Sequence, residues 1–240
     1  MRLLLTTLAL LNSTGFTYAG DIDQTFGFYV AGLKAGTIRL IGTEPALGED
    51  GPYTLHGTLT PTSIMRRFHD VGYDGRVDGA VSDGQFVPQN YEGQSRSESR
   101  QTDVQLTYKD SRPQVVRYAP ERGSHPYDID PAAQNDAVDP LTAAHMLLRD
   151  QRGADLCDRT LDLFDGRRLS RLEVDAPIHN GAKAICEGRY TRVAGFSPED
   201  MQEQVNFPIT LVYIKGDADL YTLSFFKTDT TFGPAEAARR

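Results

Sequence analysis

Apolar residues in this chain recur at every second position far more often than at every third or fourth, so the dominant prediction is strand. Phe26, Phe28 and Val30 alternate with Gly27, Tyr29 and Ala31, the period of a half-buried strand. The alternation predicts strands at 25–33 and 36–42, joined by Lys34-Ala35, and then a turn-rich break at 44–52. Further strands are expected at 53–60, 64–71, 73–81, 85–93, 101–109 and 114–118. Asp74-Gly75 and Asp83-Gly84 read as turns, the second as a tight hairpin. Val104, Leu106 and Tyr108 alternate with Asp103, Gln105 and Thr107, leaving one face wet. Residues 119–138, rich in Pro, Asp and Ala, carry no period and read as a long loop. Strands at 160–164 and 168–174 flank Asp165-Gly166-Arg167, and one at 184–194 follows Pro177 and Asn180-Gly181. The last hairpin pairs 209–215 with 220–227 around Gly216-Asp217. Ile209 to Ile214 are apolar on nearly both faces, which predicts a covered part of the sheet. The tail from Gly233 is expected to fray.

One stretch breaks the alternation. Asp139 is placed to cap a helix that starts at Pro140, where the missing donor is not needed. Arg149 and Arg152 sit at its negative end, and Gly153 can take a left-handed closing conformation. Leu141, Ala143, Ala144, Met146, Leu147 and Leu148 leave almost no polar face, so this helix belongs inside something. The rest of the chain is a strand meander without βαβ units. The fold class that follows is mainly β: a curled antiparallel sheet, either an open barrel or a β-spiral, enclosing one central apolar helix.

Composition narrows the setting. The 240 residues are 39% hydrophobic with a net charge of −8, the two signs interleaved. That balance excludes a nucleic-acid partner and predicts repulsion from anionic membranes unless a local patch overrides it. Met1-Arg2 followed by apolar Leu3 to Leu11 reads as an export signal cut after Ala19, too short to span a bilayer. The expectation is a signal at 1–19 and a single β-rich periplasmic domain at 20–240, not an integral membrane protein. Only Cys157 and Cys186 are present, and an even count in an oxidising compartment predicts a disulfide.

Several segments together resemble a known family. They are Tyr29-Val30-Ala31-Gly32-Leu33-Lys34-Ala35-Gly36, Val138-Asp139-Pro140-Leu141-Thr142-Ala143, and Cys157 ahead of Leu163-Phe164-Asp165-Gly166-Arg167-Arg168. Cys186 ahead of Tyr190 and Ala194-Gly195-Phe196 completes the set. In this order they resemble the exported bacterial family called domain of unknown function 3108, across nearly the whole chain after the signal. The resemblance implies a periplasmic β-rich protein and brings no activity with it. More distantly, a curled sheet around a helix is similar in architecture to periplasmic lipoprotein carriers and to β-spiral envelope-integrity proteins, an analogy that does not fix function.

Chemistry is sparse. No nucleophile elbow, phosphate loop, dinucleotide fingerprint or H-E-x-x-H motif occurs, so no catalytic residue, metal ligand or cofactor is assigned. The histidines are scattered, and His145, on the apolar helix, is better read as structural, needing a partner if buried. Asp128, Asp130, Asp136 and Asp139 suggest calcium but lack the mid-loop glycine and terminal glutamate of an EF-hand. Arg167 and Arg168 are the best polar candidates for an anionic ligand group, against a simpler reading as turn and strand residues on opposite faces. Three function classes follow. The first is a binding module holding a lipid or other apolar ligand beside the helix, with Ala144, Leu148, Val104, Leu106, Tyr108, Leu211 and Tyr213 facing it. The second is an envelope scaffold that contacts a partner protein. The third is an unrecognised enzyme, ranked last because no nucleophile–base pair is visible.

Overall fold

The computed structural model describes residues 20–68, 71–97, 100–230 and 233–240; the expected export signal lies outside them. Seven strands come first: β1 (Gly20–Val30), β2 (Leu33–Glu44), β3 (Gly51–Pro61), β4 (Gly72–Ser82), β5 (Gln85–Ser97), β6 (Arg100–Lys109) and β7 (Arg112–Ala119). A short helix α1 (Ser63–Phe68) lies between β3 and β4. After the long loop come helix α2 (Pro140–Leu148), the short β8 (Gln151–Arg152), β9 (Arg159–Phe164), β10 (Leu169–Val174), the short β11 (Ile178–Asn180) and β12 (Lys183–Ala194). Helix α3 (Pro198–Glu203), β13 (Asn206–Lys215), β14 (Leu220–Thr230) and β15 (Gly233–Arg239) finish the chain. The antiparallel sheet runs β7-β6-β5-β4-β3-β2-β1-β15-β14-β13-β12-β10-β9, with β8 attached to β14 and β11 to β12.

The sheet curls until its edges nearly meet. Asp136 N donates to Ser111 O in the β6–β7 turn, while Val138 bridges Leu163 of β9 in parallel. Val138 N donates to Asp162 O and Val138 O accepts from Phe164 N, so the end of the long loop is a seam between β7 and β9. The barrel-like class predicted from alternation therefore holds.

The tail corrects the sequence reading. Instead of fraying, β15 inserts between β1 and β14, pairing Ala237 with Phe28 and with Phe226. Ala235 and Ala237 point inward and are buried, so the alternation was present but written in alanine, which carries little hydrophobic signal. Four smaller corrections follow. The first hairpin turns at Ala31-Gly32, both with positive φ (48° and 77°), and Lys34-Ala35 belong to β2. The strand expected at 64–71 begins as α1, because Thr62 Oγ1 accepts from Met65 N at 3.2 Å and Thr62 O from Arg66 N at 3.0 Å. Helix α2 leaves through an extended Arg149, so that Gln151–Arg152 can pair with β14, and Gly153 opens a 3-10 turn instead of a left-handed close. Arg168 lies in the β9–β10 turn, where Asp165 Oδ1 accepts from the amides of both Arg167 and Arg168.

The turn expected at Asp74-Gly75 is absent for a packing reason: both residues lie within β4. Gly57, Gly75 and Gly93 stand side by side on β3, β4 and β5. A Cβ on Gly57 would collide with Leu141 Cδ1, and Cβ atoms on Gly75 and Gly93 would collide with the rings of Tyr73 and Tyr91. The glycine row is a bare strip on which the helix and two tyrosines lie, the tyrosine hydroxyls 3.2 Å apart.

Helix α2 has Leu141, Thr142, Ala143, His145, Met146 and Leu147 buried. Leu141 and Met146 join a cluster with Leu40, Tyr53, Leu55, Phe86, Leu106 and Phe164; Leu147 joins a second with Phe26, Leu172, Leu211, Tyr213 and Leu223. Within Ile209 to Ile214, alternate residues Ile209, Leu211 and Tyr213 are buried, while Val212 and Ile214 are half-buried. Cys157 and Cys186 are disulfide-bonded with Cα atoms 6.2 Å apart, tying the approach to β9 to β12 inside the second cluster.

Two stability outcomes are expected. Gly57→Ala should cost about 1–3 kcal/mol by urea unfolding, and much less when Leu141→Ala is already present, because that truncation removes the atoms it strikes. Additive effects would show that the helix does not rest on the glycine row. Replacing both cysteines by serine removes a link across 29 residues and should cost roughly 3–4 kcal/mol.

Candidate functional site

The two interior clusters do not fill the barrel equally. At the end of the barrel where β1 turns into β2 lies a cavity of about 780 Å³. Its walls are Phe28, Val30, Leu33 and Ala35 from β1 and β2, Leu59 and Pro61 from β3, Phe207 and Ile209 from β13, Phe226 from β14 and Ala235 from β15. Leu172 of β10 and Tyr190 of β12 face across, Met65 of α1 lies at the edge, and Leu147 of α2 is the helix residue that reaches it. These strands alternate, so every second residue faces inward, and the apolar set continues to the strand tips.

Its polar side is built around α3. Ser197 and Asp200 form a capping box, Ser197 Oγ accepting from Asp200 N at 3.1 Å, and Pro198 occupies the first turn. Asp200 thereby faces Arg168, whose Nη2 lies 3.5 Å from its carboxylate. Burial pushes the Asp200 carboxyl up, but the Ser197 bonds and the two arginines outweigh it and hold the group below its ordinary range. Arg168 lies over the Phe196 ring at 5.1 Å, and its Nε is buried without a hydrogen-bond partner. Arg192 lies over Phe196 and Phe207 and donates to the carbonyls of Asp200 and of Gln204, the latter at 2.9 Å. Two arginines with apolar ring contacts thus border an apolar space.

The sequence candidates divide. Arg168 lines the cavity; Arg167, next to it in the turn, does not. Ala144 and Leu148 are half-buried on α2 away from the lining, and Leu147 takes their place. Val104 and Leu106 are packed in the first cluster. Tyr108 borders a separate hollow of about 410 Å³ with Met146, Ala137 and Val138. Leu211 and Tyr213 are fully buried, and Tyr213 Oη donates to Leu147 O at 2.7 Å, an anchor for the helix end and not a free wall. The missed residues are Phe28, Leu33, Phe207 and Phe226 on strands, Met65 on α1 and Phe196 in the loop before α3. One legible signal was the run from Phe26 through Leu33, apolar to the very tip of the hairpin.

A second concavity of about 610 Å³ mixes polar residues, His56, Arg76, Asp78, Asn90 and Glu92, with apolar ones, Ile41, Leu55, Val77, Tyr91, Leu106 and Val116. The acidic loop residues are engaged locally: Asp128 with Arg122 and His125 N, Asp130 with Ala132 N, and Asp139 with the amides of α2. No cluster of three or more metal-binding side chains occurs among the described residues. His145 is buried with Nε2 3.1 Å from Glu44 Oε2, the partner a buried histidine needs.

Comparison with known proteins gives a family and nothing more specific. The model of the family described as "Protein of unknown function (DUF3108)" matches residues 22–237. Searches of curated proteins and of solved structures each found no match.

The buried polar groups of helix α2 and its cap carry a pH signature. Asp139 is completely buried, and desolvation raises its pKa from 3.8 to about 6, although Thr142 Oγ1 at 2.6 Å and the Leu141 and Thr142 amides favour the charged form. Because the folded state holds this proton more tightly than the unfolded chain, the group adds stability as pH falls from 6 towards 4. His145 acts oppositely: burial lowers its pKa despite Glu44, so its contribution is lost as pH falls below 6.5. Comparing wild type with Asp139→Asn isolates the first effect. The stability difference should shift towards wild type by about 2 kcal/mol between pH 7 and pH 4.5 in urea unfolding. A difference independent of pH would show that Asp139 does not titrate there.

Proposed function

The chain belongs to this family, whose description assigns no activity, and we propose that it is a non-catalytic periplasmic envelope protein that holds a lipid or other apolar ligand in the cavity. The observation that carries the reading is the cavity itself, about 780 Å³ bounded by aromatic and aliphatic side chains. Ordinary core packing leaves voids near the size of water, whereas sites for small ligands run to several hundred Å³. Arg168 and Arg192 supply the few polar points such sites use to orient a ligand, here suited to an acidic head group. The export signal expected at 1–19 and the disulfide support the compartment. A scaffold acting through protein contacts is the alternative, and a filled interior would have favoured it.

A fluorescent fatty-acid probe should bind saturably to the folded protein at a stoichiometry near one. Ala235→Phe and Ala35→Phe, which push a ring into the cavity from β15 and β2, should each weaken uptake by about tenfold or more with the melting temperature retained. Arg168→Gln should weaken a fatty acid more than the corresponding alcohol. Absence of saturable uptake by the wild type would remove the carrier reading and leave the scaffold in its place.

A further inference from the structure

The mouth of the cavity is chemically one-sided. Leu33 and Ile64 are the most exposed large apolar side chains among the described residues, at 72% and 71%. Leu33 lines the cavity from the β1–β2 hairpin, and Ile64 precedes Met65, which lines it from α1. The two elements are joined by Thr62 N donating to Ala35 O at 2.8 Å. Lys34, Arg66, Arg67, Arg96 and Arg100 are exposed at this same end of the barrel, with no ion-pair partner among the described residues. Arg66 and Arg96 border one surface hollow beside Tyr73. The opposite side of the mouth carries Glu199, Glu203 and Asp229. A chain of net charge −8 therefore places five described cations beside two bare apolar side chains at the opening of its apolar cavity, while Asp70 and Glu98, their neighbours in sequence, lie outside the described residues.

We infer that the α1 side of this rim docks on an anionic membrane surface. Cations near an anionic leaflet are attracted within a Debye length, and apolar side chains set among them enter the head-group boundary. A membrane is favoured over an acidic protein because exposed cations flanking exposed apolar side chains complement an anionic lipid surface, whose head groups meet the charges while its boundary takes Leu33 and Ile64. The negative charge elsewhere confines the contact to this side and sets its orientation, with the mouth of the cavity at the lipid. The docking rests on the cavity reading only for its purpose, the exchange of an apolar ligand with the bilayer.

Co-flotation with vesicles of phosphatidylcholine, with and without phosphatidylglycerol, tests it using the mature chain. Wild type should bind the phosphatidylglycerol vesicles, bind phosphatidylcholine alone weakly, and be released by salt. Ile64→Asp and the double variant Arg66→Glu/Arg67→Glu should each lower binding by about tenfold or more. All three positions are exposed, and circular dichroism and melting temperature verify the fold. Fatty-acid probe uptake measured without vesicles should be unchanged in these variants. Wild type that ignores both vesicles, binds both equally, or is matched by the rim variants overturns the proposal. Probe uptake without vesicle binding leaves the cavity reading standing and gives the rim to a protein partner. Vesicle binding without uptake removes the cavity reading alone.

Discussion

Six of the nine residues of helix α2 are buried against the sheet, so its free amides and carbonyls have to be satisfied largely by the protein. Helix α2 meets this condition with side chains from distant strands. At its start Asp139 accepts from two amides and from Thr142 Oγ1, and Tyr53 of β3 is 3.0 Å from the same hydroxyl. At its end Tyr213 of β13 donates to Leu147 O, Arg159 of β9 reaches Met146 O, and the Arg149 amide closes on His145 O. Gln151 then links Tyr213 to Arg159. Tyr53, Tyr213, Arg159 and Gln151 come from four different strands, so the helix reaches these partners only when the sheet has curled around it. The cost of keeping Asp139 ionised there is tolerated because without the cap the amides would be unpaired in the same dry interior.

The same helix also divides the interior. On one side the row Gly57, Gly75 and Gly93 brings the sheet close enough for Leu141, Tyr73 and Tyr91 to fill the space. On the other side the inward residues include Ala35 and Ala235, too short to reach across, and the space remains open. Small residues thus do opposite things in the two halves: glycine removes distance, and alanine near the mouth leaves it.

What could be read from the sequence follows from which signals are local. Most of the strands, the Asp83-Gly84 hairpin, the Asp139-Pro140 helix start and the cysteine pair depend on neighbouring residues or on compartment, and the structure contains them. Helix α3 was equally legible in Ser197-Pro198-Glu199-Asp200 and was overlooked. β15 was hidden because its inward residues are alanines whose burial is decided by β1 and β14, strands far away in sequence. Gly75 was misread because a glycine after aspartate signals a turn locally, while its use here is set by a tyrosine ring lying on it. The cavity was the least legible feature. Alternation tells which residues face inward but not whether anything meets them there, so Leu211 and Phe226, both inward-facing, end in a packed cluster and a cavity wall respectively.

The open space is a consequence of length. A helix of nine residues rises about 13–14 Å, and its rigid cylinder cannot lengthen. The strands around it, many of eleven or twelve residues, extend about 35–40 Å, and tilting by the usual barrel angle still leaves a height well above 20 Å. Whatever the helix orientation, its apolar surface covers only part of that height, and side chains or a ligand must occupy the remainder. Large inward residues do so in the half that contains Tyr53, Phe86 and Phe164. At the other end the helix contributes Leu147 alone, and the strand tips that should close the space turn outward at Leu33. A barrel whose strands outrun its internal helix is thus committed to an opening, and the chemistry of its rim decides what that opening meets.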